Sequence, residues 1–599
     1  MEHNLPVGNE WVSLPDIEEQ TAAIRSLTFL TMHGKGMLSL RGFRDQPFLQ
    51  PFLRLADGAP LTLSDLRWTR EFDWLPSLRA AAGTFSFSMT VLPPIGERGF
   101  AVRMELCAGE AARVQWGMRG AWGGVWHCVN EEKELEGSMH VYRSAWNKGV
   151  VLDYRAGLPV FAFAPMTVPE CEASFTQKGR EITFSLSHTD TFLPGETKSV
   201  IFFFGLGYEE VAAATSAKHM LRRGWDWEYR QSAAWLCARR KQFASEKLTA
   251  LYNTNLFFCI FFSTGRTLDT EELVCATSRS SRYYVSAAYW DRDTLLWSFP
   301  AILSADPALA KEILQYVFSR QRRHLGHHSR YIDGTLLEPG FELDELAAPV
   351  LALERYVNVT GDLTFPAQPG VRPVLQELLQ KLKEVYSVEL ALYETFLQPT
   401  DDEIVHPFLT YDNVLVWRML RALAKWLPEE SAHLLSASDT LKNAIQARCI
   451  RHTADGRPFY AWSVDAQGRY DVYDEPPGSL QLLPYYGFCS PEDEVWRNTA
   501  AMIRSPAYRY SFSGAKIAEI GCPHAPYPWV LSLCNSLLSG HAEQALRELE
   551  DLPMDNGIAC ESVDPETGEC VTGAAFATCA GFLCHSILSA EEGTSCETI

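Results

Sequence analysis

The sequence predicts two parts: an antiparallel β-sandwich over residues 1 to about 205, and an all-α domain over 241–599, joined by linker helices over 206–240. Three observations predict this. Apolar residues alternate with period two through the first third of the chain. Near Gly207 the spacing becomes helical and stays so. The composition suits two to four packed domains: 599 residues, 47% hydrophobic, 12% aromatic and only 39 Gly.

Within the first part, 84–92 puts Phe85, Phe87, Met89 and Val91 on one face. Phe100, Val102, Met104 and Leu106 alternate in the same way, as do Ile182, Phe184 and Leu186. The run 200–204 is continuously apolar. Pro93-Pro94 and Pro194-Gly195 mark turns between these strands. Such density of short alternating segments indicates a large sandwich. In the second part, helices are expected over 209–223 and, as one unusually long helix, over 228–262. More follow at 307–324, 343–360, 371–390, 411–426, 431–450, 491–503, 526–538, 541–552 and 573–588. Almost no strand signal separates them, and roughly a dozen helices in pairs suit a closed toroid of helical hairpins.

Four clusters between these helices carry groups capable of chemistry. The first is Trp290-Asp291-Arg292-Asp293 at a helix start. An Arg fork beside an Asp grips vicinal hydroxyls, and Trp290 offers an apolar face. The alternative is an N-cap with a surface ion pair. The second is Glu342-Leu343-Asp344-Glu345, three acids at a helix N-terminus. Simple stabilisation by the helix dipole is one reading. The other follows from the stripe Leu343, Leu346, Ala347 and Val350. An acid next to it points into an apolar cavity, where desolvation raises a carboxyl pKa as a general acid needs. The third is Glu561 after the Asn556-Gly557 turn, able to hold a water; Asp564 and Glu569 read as turn acids. The fourth is aromatic: Tyr411-Asp412-Asn413 with Trp417, Tyr485-Tyr486, and His524 with Trp529. Such rings stack on the C–H face of a pyranose, while Asp, Asn and His bond its hydroxyls; ordinary core packing is the competing reading.

Other classes lack support. A net charge of −21 repels phosphate backbones, so a nucleic-acid partner is not expected. No Walker loop, no GxGxxG after a strand and no GxSxG elbow occurs. His324, His327, His328 and Asp333 have no Cys partner and no HExxH spacing, so no metal and no other cofactor are expected. The first thirty residues show no signal-peptide pattern and no run spans a bilayer, so the expectation is a cytoplasmic protein without a membrane partner. The 15 Cys lack a CxxC pair and read as free thiols. A homo-oligomer is compatible with the sequence.

In their order, the segments AAYWDRDTLLWSFPAIL, FELDELAAPVLALERYVNVTGD and NGIACESVDPETGECVTGAAFATCAGFLCHSIL resemble the motifs of six-hairpin (α/α)6-barrel glycosidases. The last two are similar to glycoside hydrolase family 125, the exo-α-mannosidases. Glucoamylase-like and debranching-type enzymes share the layout more loosely and supply the precedent for an N-terminal β-sandwich. The resemblance runs over about 240–590 and is firm over three stretches of some twenty residues. It implies an N-terminal antiparallel β-sandwich followed by an (α/α)6 toroid. It also implies an inverting, metal-independent exo-α-glycosidase acting on small oligosaccharides or glycosides, either α-glucosides or α-mannosides. By match, Asp344 is the general acid, Glu561 the general base, and Arg292 and Asp293 bind the terminal sugar. The Ser/Asp-rich substrate motif of family 125 is missing, with HPFLTYDNVLVW near its place. In glucoamylases the acid is Glu, so Glu342 and Glu345 remain rivals to Asp344. A glycoside phosphorylase of similar architecture and a non-catalytic carbohydrate-binding protein are the alternatives.

Overall fold

A computed structural model describes residues 4–146 and 148–592. The chain forms two compact units. The first comprises Met1–Lys241 together with Thr264–Val274 and Arg279–Ala287; the second comprises Gln242–Ser263, Cys275–Ser278 and Ala288–Ile599.

The first unit is built of antiparallel sheets, as its alternation requires. An eight-stranded sheet runs Ser138–Arg143, Val150–Ala156, Leu158–Val168, Thr197–Gly207, Gly99–Ala108, Phe85–Leu92, Leu75–Ala82 and Ser64–Glu71. A four-stranded sheet runs Glu172–Lys178, Glu181–Phe192, Ala112–Trp122 and Leu49–Leu55, and a six-stranded sheet begins at Val7–Gly8. Rings from the first two sheets meet edge to face: Phe85 lies 5.9 Å from Phe192, and Trp122 6.4 Å from Tyr154. The run 200–204 departs from alternation for a physical reason. Its strand is covered by helix α1 (Glu210–Arg223), whose Ala213 and Ala217 backbone would collide with any Cβ on Gly205. Buried Arg279 donates to the carbonyls of Asn9 and Thr264.

The expected single helix over 228–262 is two helices, α2 (Trp225–Arg239) and α3 (Glu246–Ser263). The break follows the like-charged run Arg239-Arg240-Lys241. There Arg240 is extended, and the Ser245 hydroxyl accepts from the Leu248 amide to restart the helix. Helix α3 is buried on nearly every side, which erases its periodicity. The second unit continues with α4 (Phe299–Ala305), α5 (Pro307–Ser319), α6 (Leu343–Thr360), α7 (Arg372–Glu384), α8 (Thr410–Trp426) and α9 (Ser431–Cys449). It ends with α10 (Glu494–Ile503), α11 (Val530–Leu538), α12 (Ala542–Glu550) and α13 (Ala577–Glu592). Helix α6 stops where Gly361 turns left-handed at φ 71°. The last helix packs on α3, with the Cys584 thiol donating to the Tyr252 carbonyl at 3.3 Å.

Short hairpins precede several helices, although the sequence shows almost no strand signal there. His327–Arg330 pairs with Leu336–Phe341 just before α6, and Ser562–Val563 pairs with Cys570–Thr572 just before α13. Strands of two to six residues are too brief for alternation to register. They nevertheless set the register of the side chains described next.

Candidate active site

The site is organised around Arg292. Its backbone opens a π-helical turn, Arg292–Ser298, in which the Phe299 amide reaches back five residues to the Thr294 carbonyl. Such wide turns persist where a side chain must be aimed. The turn is held from outside its own segment by Glu345, whose two carboxylate oxygens accept the backbone amides of Asp291 and Arg292. Asp291 does not cap the turn. It accepts from the Tyr289 hydroxyl at 2.6 Å and from the Arg330 guanidinium. Arg330 sits on the hairpin strand that bridges Tyr289 through two backbone hydrogen bonds.

Thus oriented, the Arg292 guanidinium is fully buried and bonds three carboxylates. Nη1 donates to Glu342 at 2.6 Å and to Asp344 at 3.1 Å, while Nη2 donates to Asp401. Glu342 precedes α6 and Asp344 lies in its first turn; the second Asp344 oxygen accepts the Glu345 amide at 2.8 Å. Asp401 comes from a turn after α7, with φ 68°. His328 completes the group: Nδ1 lies 2.6 Å from Glu342 and 3.5 Å from Asp401. Burial alone would lower its pKa, but the hydrogen bond to Glu342 and the charge of Asp401 raise it to about 9. Its ring stands edge to face with Trp290 at 5.4 Å.

Burial raises the neighbouring carboxyls. Asp293 is pushed up to about 7 against the pull of Arg292, and its Oδ1 accepts from Thr578 in the first turn of α13. Burial lifts Glu342 as well. Asp412, in the first turn of α8, is raised well above its usual value by burial and by the charge of Asp344. Both its oxygens are buried without a partner among the described residues. The Trp290 indole nitrogen is likewise buried and unpartnered, and Arg292 Nε makes no hydrogen bond but lies 3.9 Å from the Asp293 carboxylate. A spare donor and a buried carboxyl with both oxygens unpartnered are the complement of a polyhydroxylated ligand.

The remaining residues singled out in the sequence lie as follows. The Tyr411 hydroxyl meets that of Tyr486 at 3.1 Å, and Tyr411 directly precedes Asp412 in the first turn of α8. Glu561 is buried at the start of the last hairpin and accepts from Thr572 at 2.6 Å. Its carbonyl receives the Val530 amide that begins α11, and the neighbouring Ala559 carbonyl receives Phe576 just ahead of α13. Glu561 and Asp293 therefore flank the same end of α13. Trp529 is buried, donates to Ala525, and stands 6.1 Å from the His524 ring; His524 itself faces Asp402 at 3.6 Å.

Sequence reasoning weighed His328 only as a metal ligand and passed over Arg330, Asp401 and Glu475, the last accepting the amide and hydroxyl of Thr400. A usable signal existed for the first pair: His328 and Arg330 share one face of a strand that ends at the Asp333-Gly334 turn. Nothing local marks Asp401. His328, Glu342 and Asp401 offer ligand atoms within 4.8 Å of one another, spacing suited to a cation. The guanidinium of Arg292 already fills that charge role, since it bonds both carboxylates.

One consequence is measurable on the isolated chain. His328 has a raised pKa in the folded state. The stability it contributes is therefore fully present below 6.5 and lost as pH rises through about 9. Replacing it, His328→Gln, should flatten the fall in melting temperature between those two values. An unchanged slope in a fluorimetric melt would mean that Glu342 and Asp401 do not hold the imidazolium.

A β-sheet unit, a helical unit and acids gathered at helix starts define a class. The chain resembles the (α/α)6-barrel glycosidases and phosphorylases. A bacterial glucoamylase complexed with acarbose aligns over 99% of this chain and 95% of its own, with TM-score 0.65 and 11% identity. A putative kojibiose phosphorylase from the human microbiome aligns over 98% and 86%, with TM-score 0.63 and 10% identity.

Within that class, residues 385–588 match the family model described as metal-independent alpha-mannosidase (GH125). A Streptococcus pneumoniae alpha mannosidase of a metal-independent family, solved as a non-productive complex with alpha-1,6-mannobiose, covers 58% of this chain and 94% of its own. Its TM-score is 0.51 and its identity 17%. The meiotically up-regulated gene 157 protein of Schizosaccharomyces pombe is 29% identical over 189 residues, which are 29% of this chain and 37% of that relative's length. The family match includes Glu561, Asp412 and Tyr411 and stops short of Arg292 and Asp344. No helix among the described residues is long and apolar enough to cross a membrane, and the fourteen described cysteines are free.

Proposed function

We propose that the chain is an inverting, exo-acting α-glycoside hydrolase that removes the non-reducing sugar from small oligosaccharides or glycosides. The observation that carries this reading is the buried cluster on Arg292, with the unpartnered carboxyl of Asp412, raised by burial and by the charge of Asp344, and the unpartnered indole donor of Trp290. The family match over 385–588 favours α-mannosides ahead of α-glucosides.

Asp344 gives its proton to the glycosidic oxygen as the C–O bond breaks. Glu561 takes a proton from water as that water's oxygen bonds the anomeric carbon from the opposite face. Inversion by this route needs the two carboxyls about 6.5–9.5 Å apart, with the helical unit closed into a toroid. Arg292, Asp293 and Trp290 hold the terminal ring. Glu345 is the weaker candidate for the acid, since backbone amides occupy both its oxygens. A phosphorylase needs a cationic pocket, whereas carboxyls outnumber cations around Arg292.

The test is a panel of α-mannosides and α-glucosides followed by NMR of the first-formed sugar. The expected product is the β-anomer, released without phosphate and after dialysis against EDTA. An α-anomer, or turnover that requires phosphate, would sink the reading.

A further inference from the structure

Asp401 is the carboxylate of the Arg292 cluster whose backbone is least favourable. It sits in the left-handed region at φ 68°, which a residue other than glycine keeps only where its surroundings impose it. Its side chain is a third exposed, so burial alone does not fix it. Yet it bonds Arg292 Nη2 and lies 3.5 Å from His328 Nδ1.

The turn 398–401 that carries it is closed by the Asp401 amide donating to the Gln398 carbonyl at 2.8 Å. On one side the chain is tied to the start of α6. The Phe396 and Leu397 amides both donate to the Phe341 carbonyl at 3.2 Å, and the Thr395 hydroxyl accepts the Leu343 amide at the same distance. On the other side the turn is tied to Glu475, 75 residues beyond Thr400. Glu475 is fully buried. One of its oxygens accepts the Thr400 amide at 3.0 Å; the other accepts the Thr400 hydroxyl at 2.9 Å and the Tyr473 hydroxyl at 3.1 Å. Pro476 holds Glu475 extended, at φ −142° and ψ 149°. The Asn535 side chain, from α11, donates to the Pro476 carbonyl at 2.9 Å. Two residues further on, Gly478 lets Pro399 close in: a Cβ at that position would lie 2.5 Å from the proline ring. Glu475 and Gly478 thus grip Thr400 and Pro399, the two residues between the ends of the turn.

We infer that Glu475 is a positioning residue: through the Thr400 amide it imposes the left-handed turn that brings Asp401 to Arg292 and His328. Its service to catalysis rests on the hydrolase reading of the Arg292 cluster. Its hold on Asp401 does not.

Two readouts test this. The first is the titration of the His328 imidazole, followed by NMR on the full chain and assigned with His328→Gln. His328 faces Glu342 at 2.6 Å, Glu338 at 3.3 Å and Asp401 at 3.5 Å, with Arg292 opposing them. Moving Asp401 away removes an anion that favours the imidazolium, so the midpoint should fall. Glu475→Met keeps the length of the side chain and removes its acceptors. It should lower the midpoint as much as Asp401→Asn does, and the double variant should lower it no further. Glu475→Gln still offers an oxygen to the Thr400 amide and should recover most of the shift. Thr400→Val loses only the hydroxyl. It should give a smaller shift in the same direction, and it decides the matter if Glu475→Met does not fold. A midpoint unmoved in the folded variant, or shifts that add in the double one, would overturn the inference. The second readout is kcat/KM on an aryl α-mannoside. Glu475→Met should lose about 10²-fold, the cost of about 1 Å of misplacement, with no further loss when Asp401→Asn is added. Losses that multiply would mean that Glu475 does not act through Asp401. If the natural sequence turns over no α-glycoside, the hydrolase reading fails, and the imidazole titration alone decides the role of Glu475.

Discussion

Asp344→Asn should lower hydrolysis of glycosides with poor leaving groups by about 10³-fold, within the range expected for loss of a general acid. The side chain keeps its shape, and the Glu345 amide can still reach an oxygen of Asn, so folding should survive. Glycosyl fluorides need little protonation to depart, so the same variant should spare them in part. Glu561→Gln should impair both substrate types, because each requires an activated water. External azide should rescue the Glu561 variant in part, by replacing that water, and leave Asp344→Asn unimproved on poor leaving groups. Parallel measurements of kcat/KM on an aryl glycoside and a fluoride check the split. Equal losses on both substrates in both variants would show that the two roles are not divided this way. Normal activity of Asp344→Asn would move the acid to Glu342 first, whose carboxyl is buried and raised.

Arg292→Met should destabilise the helical unit by about 3–5 kcal/mol, the cost of stripping one partner from a buried ion pair. The guanidinium is buried against Glu342, Asp344 and Asp401, and removing it leaves three carboxyls facing one another with His328 as the near cation. Those carboxyls can then stay buried only by binding protons. The folded pKa of Glu342, already lifted by burial, rises further above its unfolded value once the guanidinium is gone. The stability so provided is complete at low pH and lost as pH rises through the raised value. The variant should therefore melt closest to the natural sequence near pH 5 and fall furthest behind near pH 8. Arg292→Lys should recover part of the loss, since a point charge replaces the fork but cannot reach three carboxylates at once. The double change Arg292→Met with Glu342→Gln should be more stable than Arg292→Met alone, because it removes one of the orphaned charges. Because the chain has two units, the comparison belongs to whichever unfolding transition shifts, not to a single two-state midpoint. A melting profile of Arg292→Met that matches the natural one at every pH would mean that the cluster is held by protons and not by the guanidinium.

The two-part architecture was readable without coordinates because it depends on local periodicity. Alternation in Phe85–Leu92 and Gly99–Ala108, and helical spacing in Leu343–Thr360, are the same physical fact as one buried face. The gathering of acids at 342–345 and the Arg at 292 were equally visible, since each sits in a short segment dense in polar groups. Periodicity failed where burial became uniform, as in α3, which merged with α2 in the pattern until a serine cap separated them.

What only the tertiary structure decided is which charges meet. Arg292 reaches Asp344 across 52 residues and Asp401 across 109. Neither spacing leaves a trace in the intervening sequence. The role of Glu345 was also hidden. As a residue in a helix's first turn it reads like its two neighbours, yet its oxygens bind the backbone of another segment and hold Arg292 in register. His328 and Arg330 look like members of a basic run until the hairpin turns them inward against Glu342 and Asp291. Local sequence determines which face of an element is buried. The partner of a buried charge is set by desolvation, which stabilises only the long-range arrangement that supplies one.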